Sequence, residues 1–265
     1  MSPTADLLIA LHGNFGQPGD WDAVVQALGA VGAVGDSDRA AREAPQFPKP
    51  TLHQPCLWDW AEAELDFDAV AQRLVAMAEA ARAEGRRAWL AGYSLGGRLA
   101  LHALVRRPEL WSGAVILSSH PGLASPAERS VRLQRDAAWA RRVRDEPWHS
   151  VLEAWNAQAV FAADGPPDAG AQRSLEGWRA AVATAFELWS LGRQDDLRPA
   201  LARCRVPVLW VTGGEDRVFT ALGAESAALL PEGRHEILEG LGHRLLGEAA
   251  RLAPRLARWW RRHQG

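Results

Sequence analysis

The sequence predicts an α/β fold, with a mostly parallel central sheet, helices on both faces and a block of helices inserted as a cap. Three observations predict it. Short apolar runs of strand length alternate with segments of helical spacing through the first 119 residues and again after residue 195. Between them, 120–194 is rich in Ala, Arg and Trp, carries helical patterning and offers no convincing strand. A serine stands between two glycines, Gly92-Tyr93-Ser94-Leu95-Gly96, where a strand run gives way to a helix. The expected division is a core of 1–119 and 195–265 interrupted by a cap of 120–194.

Each element has its own warrant. Leu7 to Leu11 is a five-residue apolar run ending in His12-Gly13, and reads as a buried strand entering a loop. Trp21 to Leu28 reads as a short amphipathic helix. Gly29 to Pro50, rich in Gly, Ala, Asp and Pro, lacks periodicity and reads as irregular. Asp66 to Glu84 places Phe67, Val70, Leu74 and Met77 on one helical face and stops at Gly85. Arg87 to Gly92 is a strand, Leu95 to Arg107 a helix halted before Pro108, and Gly113 to Ser119 another strand. A strand, a crossover helix and a strand at this spacing make a parallel pair. Strands resume at Val206–Gly213 and Arg234–Gly240, each followed by a helical segment.

Composition narrows the function. With 265 residues, 48% of them apolar, the chain can bury one large core carrying an inserted subdomain. A formal charge of −2 gives no basis for nucleic acid or an acidic membrane surface as partner. Leu7–Leu11 is far too short to span a bilayer, and no basic segment precedes it, so a cytoplasmic location is expected. Cys56 and Cys204 lie far apart, fit no metal spacing and suit a reducing compartment. Thirteen tryptophans are many for this length, enough to line a pocket as well as the core.

The serine carries the chemistry. Gly-X-Ser-X-Gly between strand and helix is a sharp turn in which the serine takes strained dihedrals and any side chain on the flanking glycines would clash. The hydroxyl then projects above the sheet, over a helix N-terminus that favours developing negative charge. Such a turn requires an acid and then a histidine, each just after a later strand. Asp216 follows the VLWVTG run and His243 follows the HEILEG run. Glu215 competes for the acid's place, and Asp216 is preferred as the usual occupant of such a loop. His235 competes with His243, but lies inside the strand run and reads as structural. Ser94, Asp216 and His243 are therefore the candidate catalytic residues. The backbone N–H groups of Leu95 and Asn14 are the candidate oxyanion donors, and His12 reads as a shaping residue of the Asn14 loop.

With these motifs the chain resembles the MenH family of α/β-hydrolase-fold lyases, the 2-succinyl-6-hydroxy-2,4-cyclohexadiene-1-carboxylate synthases of menaquinone biosynthesis. The resemblance rests on GYSLGGR at Gly92–Arg98, HPGL at His120–Leu123 with Glu128, Arg129 and Arg132 after it, and WARRVRDEP ending at Pro147. It continues through AWNAQAVF at Ala154–Phe161, DLRPAL at Asp196–Leu201 and TGGEDRVF around Asp216. It implies the α/β-hydrolase fold and elimination of pyruvate from a small substrate bearing three carboxylates, without an acyl-enzyme, a metal or an organic cofactor. It also implies Arg98 and Arg132 as carboxylate clamps, with Tyr93, Trp155 and Phe161 shaping the pocket wall. Apart from the resemblance, Arg98 is equally an ion-pair partner on a helix, and Arg132 belongs to an arginine-rich stretch that is mostly a solvated face.

The chain also departs from the family. LHQPCLWDWAE stands where a Pro-Gly-His-Gly-X-Ser turn is usual, and Val218 replaces a lysine. The family's third arginine aligns with Ser174, leaving Arg173 or Arg179 as the candidate third clamp. The rival functions are a serine hydrolase working through an acyl-enzyme, and a non-catalytic scaffold.

Overall fold

The computed structural model describes residues 5–31 and 50–263; 32–49, most of the stretch read as irregular, lies outside the described residues. Among them, six strands form one sheet: β1 (Leu7–Leu11), β2 (Thr51–His53), β3 (Ala88–Tyr93), β4 (Trp111–Leu117), β5 (Val208–Gly213) and β6 (Gly233–Leu238). The order is β2-β1-β3-β4-β5-β6, and every pairing is parallel. A parallel sheet needs a crossover after each strand, so all the strands' C-terminal ends share one edge. The order also reverses at β1, with β2 on one side and β3 on the other. In open α/β sheets that is where ligands bind.

Residues alternate across the sheet. Ile9, Leu11, Leu90, Ile116 and Trp210 join one apolar cluster; Leu8, Ala10, Trp89, Ala91, Val115, Leu117 and Val211 join the other. Because both faces are covered, central strands β1 and β5 are buried along their whole length. That is why they read as unbroken apolar runs. The first face is covered by α3 (Phe67–Ala83) and α4 (Leu95–Arg106), the second by α1 (Asp22–Ala30) and α11 (Ala249–Arg262). Asp66 caps α3 by accepting the Ala69 N–H at 2.8 Å, and Gly85, at φ 73°, lets the chain turn after its last residues.

Two elements were not anticipated. β2 is a three-residue edge strand with both outer residues exposed, so it leaves no apolar run to read. α2 (Leu57–Glu62) follows it inside LHQPCLWDWAE and buries Leu57, Trp58, Trp60 and Ala61.

The stretch between β4 and β5 contains no strand. It forms α5 (Pro126–Asp145), α6 (Trp148–Asn156), α7 (Ala169–Ser174), α8 (Arg179–Leu188) and the short α9 (Arg198–Leu201). Helix α8 packs on α5 and on α2, and Trp139, Val143, Trp148, Val151 and Phe186 join the same apolar cluster as α3 and α4. α10 (Arg217–Leu229) packs on β5 and β6. Among the described residues no helix is long and apolar enough to cross a membrane. Cys56 and Cys204 are free thiols.

The tryptophans are mostly structural. Trp89 stacks on Trp260 at 4.6 Å and meets the edge of Trp259 at 5.8 Å, which docks α11 on the sheet. Room for that docking comes from Gly113, where a Cβ would lie 2.6 Å from the Trp89 ring. Trp89→Ala is expected to cost about 3–5 kcal/mol, read as a lower urea midpoint. An unchanged midpoint would show that α11 does not depend on this ring.

Candidate active site

The site begins with a packing constraint on α4. A Cβ on Gly96 would strike the carbonyl oxygen of Leu11 and lie 2.5 Å from that of His12; one on Gly92 would lie 2.5 Å from the Gly96 carbonyl oxygen. Only glycine permits this approach of helix to strands. To pass from β3 into α4 across so tight a junction, Ser94 takes φ 50°, ψ −108°, a conformation that L-residues hold only under constraint. Its N–H donates to Leu117 (2.9 Å), and its carbonyl accepts from the Arg98 N–H (3.1 Å) and the Ser119 hydroxyl (2.8 Å). Leu95, the first residue of α4, carries one of the N–H groups that a helix leaves without an intrahelical partner. Its side chain is buried in the core.

The later strands bring the other two groups to the same edge. Asp216 follows β5 and caps α10: its Oδ1 accepts the Phe219 N–H at 3.3 Å, and its Oδ2 lies 2.6 Å from His243 Nδ1. A short side chain bound on one side to the helix leaves little freedom for the other oxygen. His243, on the loop after β6, places Nε2 3.1 Å from Ser94 Oγ. Asp216 and His243 are buried. Glu215 also lines the cavity but is exposed and does not reach His243, while His235 is bonded to Thr212 Oγ1 (2.8 Å).

Above these groups lies a cavity of about 950 Å³, lined by Asn14, Ser94, Arg98, Arg132, Trp155, Phe161 and His243 among others. Arg98 is buried, and its Nη1 donates to the Trp189 carbonyl (2.7 Å) and Gln194 Oε1 (3.4 Å). No carboxylate is bonded to it among the described residues. Burial, followed by the nearby Arg132 charge, pulls its pKa down to about 9, so it remains charged at neutral pH. Arg132 donates through Nε to both oxygens of Asp136 (2.8 and 2.9 Å). Asp136 is itself held by Ser190 and Leu191, a buried anchor that steadies the guanidinium.

Three expectations need correction. Tyr93 does not line the cavity: its ring packs over Gly13 and lies 5.5 Å from the His243 ring. Arg173 and Arg179 line a separate cavity, bordered by residues of α6 and α7, and Arg179 donates to the carbonyls of Arg144 and Glu146. Among the described residues, the further cations lining the cavity are Arg135 and Arg217. Arg135 lies one turn beyond Arg132 on the face of α5 that also carries Glu128 and Val131, a spacing visible in the sequence once that face is known.

Two histidines, buried His12 and half-buried His120, are held by backbone groups. The Leu57 N–H donates to His12 Nε2 (3.1 Å), and His12 Nδ1–H donates to the Gly13 carbonyl (2.9 Å), fixing the Asn14 loop. The Gly122 N–H donates to His120 Nδ1 (3.0 Å), so the neutral His120 ring, which lines the cavity, carries its proton on Nε2.

The chain is one-third identical to proteins of stated activity. The sequence profile of the alpha/beta hydrolase family matches residues 8–255. A 2-succinyl-6-hydroxy-2,4-cyclohexadiene-1-carboxylate synthase of Serratia proteamaculans is 33% identical over 235 residues, 86% of this chain and 85% of that protein. One of Yersinia pseudotuberculosis is 34% identical over 223 residues, 82% and 75% of the two chains. The chain belongs to the MenH family of alpha/beta hydrolases. Its fold matches the structure of MenH from S. aureus at a TM-score of 0.80, with 17% identity over 98% of this chain and 95% of that one. A malate-bound thermophilic esterase from Thermogutta terrifontis follows the same fold at 0.65, with 16% identity over 99% and 92%. The fold is therefore shared between MenH and esterases, and the chemistry must be argued from the site.

Two predictions follow from the buried charges. Arg98→Met nearly keeps the volume and removes a buried cation that has no carboxylate partner among the described residues, so it is expected to leave the melting temperature unchanged or higher. A loss above about 2 kcal/mol would mean the guanidinium holds the fold together. Burial also lowers His12 and His102 to about 4, and burial with nearby arginine charges lowers His120 to about 3, from an ordinary 6.5. The unfolded chain therefore binds these protons first, and stability is lost as pH falls from 6.5 toward 4. Asp20, raised by burial to about 6, keeps its proton in the fold and offsets part of this. The urea midpoint should drop between pH 7 and pH 5, with a net uptake of about two protons on unfolding at pH 5. A midpoint that rises over this range would contradict the assignment.

Proposed function

We propose that this MenH-family protein is a 2-succinyl-6-hydroxy-2,4-cyclohexadiene-1-carboxylate synthase, a carbon–oxygen lyase of menaquinone biosynthesis. It would eliminate pyruvate from a tricarboxylate cyclohexene intermediate. The observation that carries the proposal is the buried Arg98 guanidinium lining the same cavity as Ser94, with no carboxylate bonded to it among the described residues. A site for neutral esters has no reason to bury a cation; a site for a multiply charged anion does. Kinship to named synthases over more than four-fifths of the chain supports the same reading.

In this proposal Ser94, His243 and Asp216 are the catalytic residues. Neutral His243 accepts the Ser94 proton while Asp216 holds the imidazole, and the serine oxygen removes the proton from the carbon next to the succinyl ketone. The N–H groups of Asn14 and Leu95 hold the enolate oxygen. As the enolate collapses, the carbon–oxygen bond to the enolpyruvyl group breaks, and that group takes a proton from His243 and leaves as pyruvate. Arg98 and Arg132 clamp two carboxylates, with Trp155 and Phe161 as apolar wall. Residues 120–194 act as a cap on the core of 1–119 and 195–265. A cytoplasmic location and a small anionic substrate belong to the same proposal.

Pyruvate release from the pathway intermediate, measured beside p-nitrophenyl ester turnover, tests this. Release of pyruvate with weak ester turnover is expected. Ser94→Ala should lose about a thousandfold or more in kcat, while Arg98→Ala and Arg132→Ala should each lose about 10- to 100-fold in kcat/KM. The rate should fall as His243 becomes protonated, since only the neutral ring is a base. Ester turnover without pyruvate would overturn the lyase and favour an acyl-enzyme hydrolase.

A further inference from the structure

The corner after β4, from Ser118 to Gly122, is pinned from several sides. Gln194, fully buried, donates through Nε2 to the His120 carbonyl (3.0 Å). The Leu197 N–H donates to the Pro121 carbonyl (2.8 Å). Gly122 lies at φ 110°, and a Cβ there would strike the Asp195 carbonyl oxygen, so only glycine fits. The Gly122 N–H occupies His120 Nδ1, which leaves the proton of the neutral ring on Nε2. That N–H has no bonded partner among the described residues, although the ring lines the cavity. The buried polar atoms without a bond include His102 Nε2 but not His120 Nε2, so the His120 N–H is accessible. Gln194 also accepts from Arg98 Nη1 through Oε1 (3.4 Å), so one buried side chain sets His120 and Arg98 relative to each other. Among the described residues Arg98 keeps Nε and Nη2 unengaged.

We propose that the His120 Nε2–H is a fixed, uncharged hydrogen-bond donor to the substrate carboxylate held by Arg98. A carboxylate offers about four lone-pair sites. A guanidinium fork fills two of them, and the imidazole takes a third. A further cation beside Arg98 and Arg132 would add repulsion, whereas a neutral N–H binds the oxygen with no charge to desolvate. The surroundings enforce that neutrality: burial, then the charges of Arg98, Arg198 and Arg132, opposed by Asp196, hold the ring's pKa at about 3. With Nδ1 occupied, the ring cannot change tautomer to accept a hydrogen bond from the ligand. The position therefore takes a carboxylate oxygen and rejects the nitrogen of a carboxamide. This inference rests on the reading of the cavity as a site for a multiply charged anion. It does not depend on the reaction that follows.

Two substitutions separate this role from a purely structural one, because Asn and Gln each reproduce one ring nitrogen. In His120→Asn the side-chain oxygen takes the place of Nδ1 and accepts the Gly122 N–H, as in an Asx turn, but nothing reaches the position of Nε2. In His120→Gln the amide N–H reaches that position and the turn bond is given up. For pyruvate release, His120→Asn should lower kcat/KM about 10- to 100-fold, and His120→Gln should retain more activity than His120→Asn. The opposite ranking, or His120→Asn within about twofold of wild type, would overturn the proposal. A second measurement needs no turnover. Proton–nitrogen NMR of isotope-labelled histidine in the wild type, with the His120 ring assigned through the Gly122 N–H bonded to it, should show the Nε2–H tautomer. Succinate should shift that N–H signal, and succinamide should not. An Nδ1–H tautomer, or a signal that succinate leaves in place, sinks the idea. If neither variant folds, this titration decides. If the wild type releases no pyruvate, the lyase reading falls, and the titration alone decides the donor.

Discussion

The close approach of α4 to β1 and β3 is the constraint on which the rest of the site depends. Gly96 lies against the Leu11 and His12 carbonyls, and Gly92 lies against Gly96. With no room for side chains at either position, the chain between them must turn through the left-handed region, and Ser94 is the residue that does so. The hydroxyl is thereby lifted off the sheet onto the edge where every strand ends. Because the sheet is parallel, the loops after β5 and β6 end at that same edge, and Asp216 and His243 meet the serine without any long excursion of the chain. Strain at one residue is maintained by packing around it.

Charge is distributed with equal economy. The groups that would cost stability, a guanidinium with no bonded carboxylate among the described residues and a neutral histidine at His120, line the cavity. Arg132, in contrast, is tied down by a carboxylate that is itself bonded to Ser190 and Leu191. This division separates a cation bonded only to neutral oxygens among the described residues from one bonded to a carboxylate. Residues that weaken the fold while serving a ligand are the expected signature of a functional site.

Much of this was legible in the sequence, for physical reasons. Strands covered on both faces are continuous apolar runs, so β1, β3, β4 and β5 could be placed directly, and the order serine, acid, histidine follows from parallel topology. β2 and α2 were not legible: a three-residue edge strand has no pattern, and the tryptophans of α2 become core residues only once α8 lies across them. Side-chain direction was the other blind spot. Whether Arg135 or Arg179 faces Ser94 depends on how α5 and α8 are rotated about their axes, which spacing alone does not say. Tyr93, next to the serine in sequence, ends β3 with its ring packed over Gly13 and is not among the residues lining the cavity.

The central claim is that Ser94 acts as a base in an elimination and forms no bond to substrate. Rapid-quench mass spectrometry of the intact protein during the first turnover tests it most directly. Pyruvate appearing while the protein keeps its unmodified mass is the predicted result. A transient mass increase located on Ser94, forming and decaying at the rate of turnover, would contradict the account and make the protein an acyl-transfer enzyme.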